Sequence, residues 1–481
     1  MTPGPPVSGA PEERVHWLTM PPRPGDTVEL DVTTLAYGGQ GVARLDEFVI
    51  FVRGAVPGDR VLARVTKRRQ SHAEARALEI LSPSPRRVGP RCRHAADCGG
   101  CEWQTLAYAA QLEFKQQQVV DSLQRLAHLT DYDLEPIRGM DDPWRYRNKM
   151  EFSFGTSDDG GLVLGLHKRG SWREIVDVVD CELASERMNR ARLAVAAACR
   201  DLGLAPYARE GDGGLLRHLV VREGRSSGDL LLNLFVAARF PEEADLAARV
   251  TAECGCTSFA VTVNESRSDA AVGDGPHMLA GPPYLRERLA GIDLRVPAAA
   301  FLQTNSAMCE VLYAAALRFA APEAHRPAVD LYCGIGSLSL PLAQAAREVH
   351  AIEIQDEAIE AARVNAGLAG VDNASFYAAD VRPLLRFPPH PVLDAARPDD
   401  DDRPAVVITD PPRAGMARKA LQRAAALGAA RFVYVSCNPT TLAGNAAELS
   451  ELGYRLSRIA PVDMFPHTHH IETVALFERT G

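Results

Sequence analysis

The sequence predicts an α/β protein. Its carboxy-terminal part reads as a doubly wound, mostly parallel sheet, preceded by an OB-like β-barrel and a mixed α+β middle. Three observations carry this. From about residue 296, strand-like and helix-like runs alternate regularly, the signature of a parallel sheet with crossover helices. Residues 24–83 are short β-prone runs broken by glycine-rich turns. Between the two, helical and strand-like segments are interspersed without a repeat.

The elements follow in order. Residues 1–23 are proline-rich, lack an apolar segment of the kind a secretory signal carries, and are expected to be disordered. Over 24–83 the runs TVELDVTTLA, EFVIFV and DRVLARVTK alternate, punctuated by Gly38-Gly39, Gly41 and Pro57-Gly58. About 60 residues of short strands suit a small barrel, and SPSPRRVGPR reads as the linker that follows. In the middle region, 84–295, LAYAAQLEFKQQQVVDSLQRLAHL (106–129) has helical periodicity. MEFSFGTSDDGGLVLGLHK reads as a hairpin turning at Asp158-Asp159-Gly160-Gly161, and SWREIVDVV and DLLLNLFVAAR read as strands. Over 296–481, AVDLYC, EVHAIEI, ASFYAAD, AVVITD and RFVYVSC are strands, and SLSLPLAQAA and QDEAIEAARVNAGLAG are helices. The Pro- and Asp-rich stretch 386–404 is expected to be a surface loop.

Composition bounds the function. A chain of 481 residues, 46% hydrophobic and 24% charged, is an ordinary multidomain globular protein. No apolar run approaches the roughly 18 residues of a membrane span, so the expected address is the cytoplasm. Ten cysteines are too sparse for a disulfide framework, and clustered thiols in a reducing compartment point to metal binding or chemistry. A net charge of −9 speaks against an overall nucleic-acid binder, yet residues 60–93 hold ten Lys and Arg against Glu74 and Glu79, a local excess suited to phosphate.

Asp330-Leu331-Tyr332-Cys333-Gly334-Ile335-Gly336 joins a strand to a helix, and Glu353 ends the next strand. A glycine turn followed about 20 residues later by an acid is a nucleoside site, the acid bonding a ribose. The third glycine that a dinucleotide pyrophosphate needs is missing, which suits S-adenosylmethionine. Asp380, after ASFYAAD, falls where an adenine amino group is read. Asp410-Pro411-Pro412-Arg413 ends another strand. Methylases of exocyclic amines carry an aromatic where Arg413 stands, so Asp410 is left to bind a base edge or the cofactor. Cys437 closes the strand FVYVS, and Asn438-Pro439 stops it. A thiolate there suits addition to carbon 6 of a pyrimidine, which makes carbon 5 nucleophilic toward a methyl sulfonium. A general base must then take the proton from carbon 5. Glu472, in DMFPHTHHIE beside an apolar strand, is the candidate. The adjacent histidines of that segment lack the spacing of a metal site. Cys92, Cys98 and Cys101, with Cys181 as a distant fourth, suit a four-iron cluster or zinc. Trp144-Arg145-Tyr146-Arg147-Asn148-Lys149 interleaves aromatics and cations, as a surface for unpaired RNA does.

Together CRHAADCGGCEWQ, YRNKMEF, AFLQTN, DLYCGIGSLSL, DPPRAG, SCNPTT and DMFPHTHHIE resemble the bacterial RNA 5-methyluridine methyltransferases over residues 24–481. The resemblance implies a TRAM domain over 24–83 and a central RNA-binding domain with an iron–sulfur cluster over 84–295. A Rossmann-like, S-adenosylmethionine-dependent methyltransferase domain over 296–481 follows. It implies that Cys92, Cys98, Cys101 and Cys181 ligate a 4Fe–4S cluster of structural role. Gln303, Tyr332, Glu353, Asp380 and Asp410 are implied cofactor contacts, Cys437 the nucleophile and Glu472 the base. Ser337 stands where some relatives have Asn, and 386–404 is an addition to the family's loop. Barrel plus cluster implies 23S rRNA as substrate, with tRNA as the alternative, and a monomer without DNA or membrane partners. A cytosine-5 methylase would carry a second cysteine near its Pro motif, which DPPR lacks. A non-catalytic RNA-binding protein would not need Cys437 and Glu472 together.

Overall fold

The computed structural model describes residues 21–208, 213–266, 270–386 and 403–480. The expected disorder of 1–23 and the expected loop 386–404 therefore lie, but for their ends, outside the described residues. Two compact units are present: one runs to Gly89 and includes Thr105–Ala110, the other comprises Pro90–Gln104 and Gln111 onward.

The first unit is a closed five-stranded barrel: β1 (Thr27–Leu35), β2 (Gly41–Leu45), β3 (Phe48–Arg53), β4 (Arg60–Arg68) and β5 (His72–Ser82), in the order β1-β2-β3-β5-β4. Alternate residues point inward, so Val28, Leu30, Val32, Ile50, Val52, Val61, Ala63 and Val65 fill it. Arg64, Lys67, Arg68 and Arg69 stay exposed. Buried Asp59 pins the exit of the barrel, accepting hydrogen bonds from Val56 N (2.7 Å), Ser84 N (2.9 Å) and Arg87 Nη2 (2.7 Å). Burial alone would raise its carboxyl, but the Arg87 and backbone hydrogen bonds hold it below the ordinary value.

The second unit opens with α1 (Tyr108–Leu126) and the short β6 (Asp133–Leu134). A seven-stranded sheet follows, in the order β13-β12-β11-β10-β7-β8-β9. Its strands are β7 (Lys149–Thr156), β8 (Leu162–His167), β9 (Ile175–Val176), β10 (Leu216–Glu223), β11 (Leu230–Val236), β12 (Ser258–Val263) and β13 (His277–Ala280), with α2 (Glu186–Asp201) and α3 (Glu243–Cys254) packed on it. The hairpin β14 (Tyr284–Leu289) and β15 (Ile292–Pro297) and helix α4 (Ser306–Ala320) lead to the second sheet.

That sheet comprises β16 (Ala328–Leu331), β17 (Val349–Glu353), β18 (Ala374–Ala378), β19 (Val406–Thr409), β20 (Arg431–Ser436), β21 (Tyr454–Val462) and β22 (Glu472–Arg479). With β6 at its edge, the order is β18-β17-β16-β19-β20-β22-β21-β6. Helices α5 (Ser339–Ala343), α6 (Asp356–Ala369), α7 (Val381–Leu384), α8 (Arg418–Ala426) and α9 (Pro439–Glu451) connect it. β16 to β20 run parallel, and β16, β17, β19 and β20 are buried on both faces, while the edge strand β18 buries only Phe376. The chain reverses direction across the sheet between β16 and β19, and a cleft opens at their carboxyl ends. β22 is antiparallel to β20 with Thr473 opposite Ser436. The start of β22 therefore lies at the same edge as the ends of the parallel strands. The expected α/β class, with its barrel and mixed middle, is the class observed. Two elements are shorter than their patterns suggest: SLSLPLAQAA yields the five-residue α5, and SWREIVDVV only the two residues of β9. No described helix is long and apolar enough to cross a membrane.

Candidate active site

The turn after β16 sets the floor of the cleft. Tyr332 has φ 65° and Gly336 φ 81°, so the chain folds back over the sheet edge. A Cβ on Gly336 would meet Phe376 at 3.3 Å and Ala362 at 3.4 Å, which explains the glycine there. Glu353, at the end of β17, is held by its own neighbours: Oε1 accepts from Ile354 N (2.8 Å) and Gln355 N (3.1 Å), Oε2 from Gly334 N (3.3 Å). Asp380 caps α7, accepting from Arg382 N at 2.8 Å. Gln303 Nε2 donates to Asp410 Oδ2 at 3.5 Å. The Gln303 backbone carbonyl in turn accepts from Asn148 Nδ2 at 2.9 Å.

Cys437 follows β20, and Asn438 caps α9 by accepting from Thr440 N at 3.0 Å, with Pro439 in the first turn. The strand thus opens into a helix rather than the loop its Asn-Pro suggests. Register across β20 and β22 brings Glu472 to the same edge as Cys437. One cavity of about 910 Å³ is lined by Gln303, Tyr332, Glu353, Asp380, Asp410, Cys437 and Glu472 alike. Every catalytic and cofactor position read from the sequence therefore faces one space. Ser337 is not among its lining residues and hydrogen-bonds Tyr313 at 2.8 Å.

The electrostatics follow from burial. Glu472 is 3% exposed, and its Oε2 has no hydrogen-bond partner among the described residues. Burial, reinforced by Asp410, raises its carboxyl well above the usual range. Burial pushes Asp410 up to about 6, against the Gln303 hydrogen bond. The Cys437 thiol is pushed to about 12, first by burial and then by Glu472 and Asp410, with Arg413 opposing. Three groups that would each carry negative charge share one poorly solvated space, and burial raises all three.

Sequence reasoning missed the wall that α1 and the cysteine loop supply. Lys115 and Asp463, both buried, pair at 2.5 Å, and Lys115 also donates to Phe465 O at 3.0 Å. Gln111 accepts from His467 N at 2.9 Å. These contacts fix the 463–470 loop, from which Phe465, His469 and His470 enter the cleft. Glu102 pairs with His469 there. Phe301, 66% exposed, stands in the same lining. The His469 and His470 rings lie 4.1 Å apart between centres, and each of the three histidines has its own neighbour. His467 stacks on Trp144 (3.8 Å between ring centres), His469 meets Glu102, and His470 packs edge-on to Phe465.

The WRYRNK stretch corrects an expectation. It is a brace rather than an open RNA surface. Trp144 stacks on His467, the buried Tyr146 donates to Pro466 O at 3.1 Å, and Arg145 pairs with Asp180 at 2.7 Å. Arg145 also donates to the carbonyls of Cys181 (2.7 Å) and Ala184 (3.0 Å). Only Arg147 of the segment reaches the cleft.

Cys92, Cys98, Cys101 and Cys181 line a second cavity of about 170 Å³. Arg169 ties the loop together, donating to the carbonyls of Ala95 (3.0 Å), Cys98 (3.1 Å) and Cys101 (2.6 Å). Burial pushes the Cys101 thiol up to about 12. Among the described residues no group of three or more His, Cys, Asp or Glu is arranged to hold a single metal ion. Gly100 and Arg147 line both this cavity and the large cleft.

Comparison with known proteins agrees with this layout. The family described as tRNA (Uracil-5-)-methyltransferase matches residues 284–480, and the TRAM domain family matches residues 22–78. An uncharacterized RNA methyltransferase of Halalkalibacterium halodurans is 36% identical over 460 residues, 95% of this chain and 98% of the relative. One of Gloeobacter violaceus is 37% identical over 459 residues, 95% and 97% of the two chains. The crystal structure of Pyrococcus abyssi tRNA (uracil-54, C5)-methyltransferase in complex with S-adenosyl-L-homocysteine superposes with a TM-score of 0.74 at 28% identity. The match covers 93% of this chain and 99% of that one.

Proposed function

The chain belongs to the S-adenosylmethionine-dependent RNA (uracil-5-)-methyltransferase family, and on that premise we propose that it methylates carbon 5 of a uridine in 23S rRNA by covalent addition of Cys437. The observation that carries the mechanism is the single cleft shared by Cys437, Glu472 and the five cofactor-side residues.

The cleft fits S-adenosylmethionine: Glu353 presents a fixed carboxylate for ribose hydroxyls, and Ile335 and Ile354 offer apolar walls to a ring. When bound, that molecule supplies an electrophilic methyl group on a sulfonium. Cys437 Sγ, its proton released to solvent, forms a bond to carbon 6, and the double-bond electrons move toward carbon 5. Carbon 5 would take the methyl as the methyl–sulfur bond of the donor breaks with its pair to that sulfur. Glu472 then removes the carbon 5 proton, the Sγ–carbon 6 bond breaks with its pair to sulfur, and the 5,6 double bond returns. Asp410 and Gln303 hold the base edge or the cofactor beside it. A positive charge next to Asp410 and Glu472 lowers both carboxyls and the Cys437 thiol. That charge is lost on methyl transfer, so Glu472 becomes more basic at the step that needs a base.

The four thiols of the second cavity are assigned to a 4Fe–4S cluster. Four thiols around one cavity support this. Its role is to hold the loop that walls the cleft at Gly99 and Gly100. The proposal includes a cytoplasmic, monomeric enzyme whose barrel meets phosphate through Arg64, Lys67, Arg68 and Arg69. A tRNA substrate is the second reading, favoured by the near end-to-end likeness to the Pyrococcus tRNA enzyme. The test is mass-spectrometric mapping of 5-methyluridine in rRNA and tRNA from cells with and without the gene. Loss of a 23S mark is expected. Loss confined to tRNA moves the substrate to the second reading, and no loss in either overturns the activity proposed.

A further inference from the structure

A third cavity, of about 300 Å³, lies in the central sheet, beside but apart from the catalytic cleft. β8 divides it from the cysteine cavity: Leu166 lines one and His167 the other. Its floor is a buried polar ring. Ser153 Oγ lies 3.2 Å from His167 Nε2 and 3.1 Å from His218 Nδ1, and His218 is 2% exposed. Arg217, also buried, forms a wall with its guanidinium 4.5 Å over the ring of Tyr207. The mouth carries Trp172, 55% exposed, with the Arg173 guanidinium 4.6 Å over its ring.

We propose that this cavity receives a second, non-reacting nucleobase of the substrate RNA, stacked on Trp172 with its edge toward the Ser153–His167–His218 floor. Three features point to that ligand. A large exposed aromatic beside a cation stacks unpaired bases without regard to sequence. A hydroxyl flanked by two imidazoles offers both donors and acceptors, as the edge of a heterocycle requires. At about 300 Å³ the space is at the lower end of small-ligand sites, about 300–1,000 Å³, and suits one nucleoside. The position adds a reason. Gly99, in the lining of the catalytic cleft, donates its backbone N–H to His167 O at 2.9 Å. One backbone hydrogen bond thus joins the linings of the two cavities, within the span of one RNA segment whose target base enters the cleft. A second captured base fixes the register of the strand, and hence which uridine is presented. The inference rests on the reading of RNA as substrate.

The test uses the full chain with its cluster. A synthetic RNA spanning the mapped uridine is bound to wild type, Trp172→Ala and Trp172→Phe, and each other nucleotide is replaced in turn by an abasic one. Loss of one stacked base is expected to weaken binding by Trp172→Ala about fivefold to a hundredfold. Trp172→Phe should restore most of it, and kcat at saturating RNA and affinity for S-adenosylhomocysteine should not move. One abasic position should weaken wild type to the same extent and add nothing to Trp172→Ala. Unchanged binding by Trp172→Ala overturns the inference, as do losses that multiply at every abasic position. Ultraviolet crosslinking of wild type to total rRNA and tRNA, with the peptide sequenced, reads the pocket without methyl transfer. A nucleotide on Trp172 or Tyr207 sustains the inference even where no 5-methyluridine forms. Its absence refutes the pocket even where methylation proceeds.

Discussion

Replacing Glu472 by Gln separates the two halves of the proposed reaction. The side chain is 3% exposed at the first position of β22, and Gln keeps its shape. The negative charge of Glu472 is one of the groups that raise the Cys437 thiol, so its removal lowers the thiol and leaves addition to carbon 6 at least as easy. Methyl transfer follows, but the proton on carbon 5 has no acceptor. A general base contributes about a hundredfold to ten-thousandfold, so turnover should fall by that factor while a covalent RNA–protein adduct accumulates. A denaturing gel with methyl-labelled cofactor reads both, at up to one methyl per chain. The same variant makes a stability prediction. A carboxyl raised in the folded state costs nothing below its unfolded value near 4.5. It destabilises increasingly as pH rises through the interval up to its folded value. Glu472→Gln should therefore melt higher than wild type at pH 8 and equal to it at pH 4. Wild-type turnover by Glu472→Gln, or an absent adduct with intact RNA binding, refutes the assignment of the base.

Three further outcomes are expected. Cys437→Ala should bind RNA as wild type does and form neither adduct nor 5-methyluridine; retained methylation removes the nucleophile. Gly336→Ala places a Cβ 3.3 Å from Phe376 at φ 81°; it should cost about 1–3 kcal/mol, read as a lower melting temperature, and weaken S-adenosylhomocysteine binding. Cys98→Ser should lose iron and the visible absorption of the purified chain, with increased proteolysis around 90–104; full iron content shows that the ligand set is different.

Much of this was legible because the sequence speaks locally. Strand–turn–helix junctions carry their chemistry at fixed positions, so Tyr332, Glu353, Asp380, Asp410 and Cys437 could each be placed at the end of a strand. The same local logic failed where partners come from far along the chain. Lys115 meets Asp463 and Glu102 meets His469 across more than 340 residues, and no spacing rule connects them. WRYRNK misled for a related reason. Aromatics interleaved with cations look alike whether they face RNA or brace a loop. Only Asp180, Pro466 and His467, brought in by the fold, distinguish the two. Helix lengths in SLSLPLAQAA and strand lengths in SWREIVDVV were overread, since burial within the unit rather than periodicity decides where short elements stop.

The topology also explains why a base can sit opposite the proposed nucleophile at all. In a fully parallel sheet every strand would deliver its last residue to the cleft, and the chain beyond it would leave as a helix. Antiparallel β22 delivers its first residue instead, with Thr473 across from Ser436. Glu472 is therefore fixed by a strand on one side and by the loop anchored through Lys115 and Gln111 on the other. Burial and the neighbouring Asp410 raise a carboxyl so held well above the usual range. On the proposed mechanism that is an advantage. Burial raises the base and the thiol alike, and a cation bound beside them would lower both. On that mechanism the cleft becomes reactive when the methyl donor is in it.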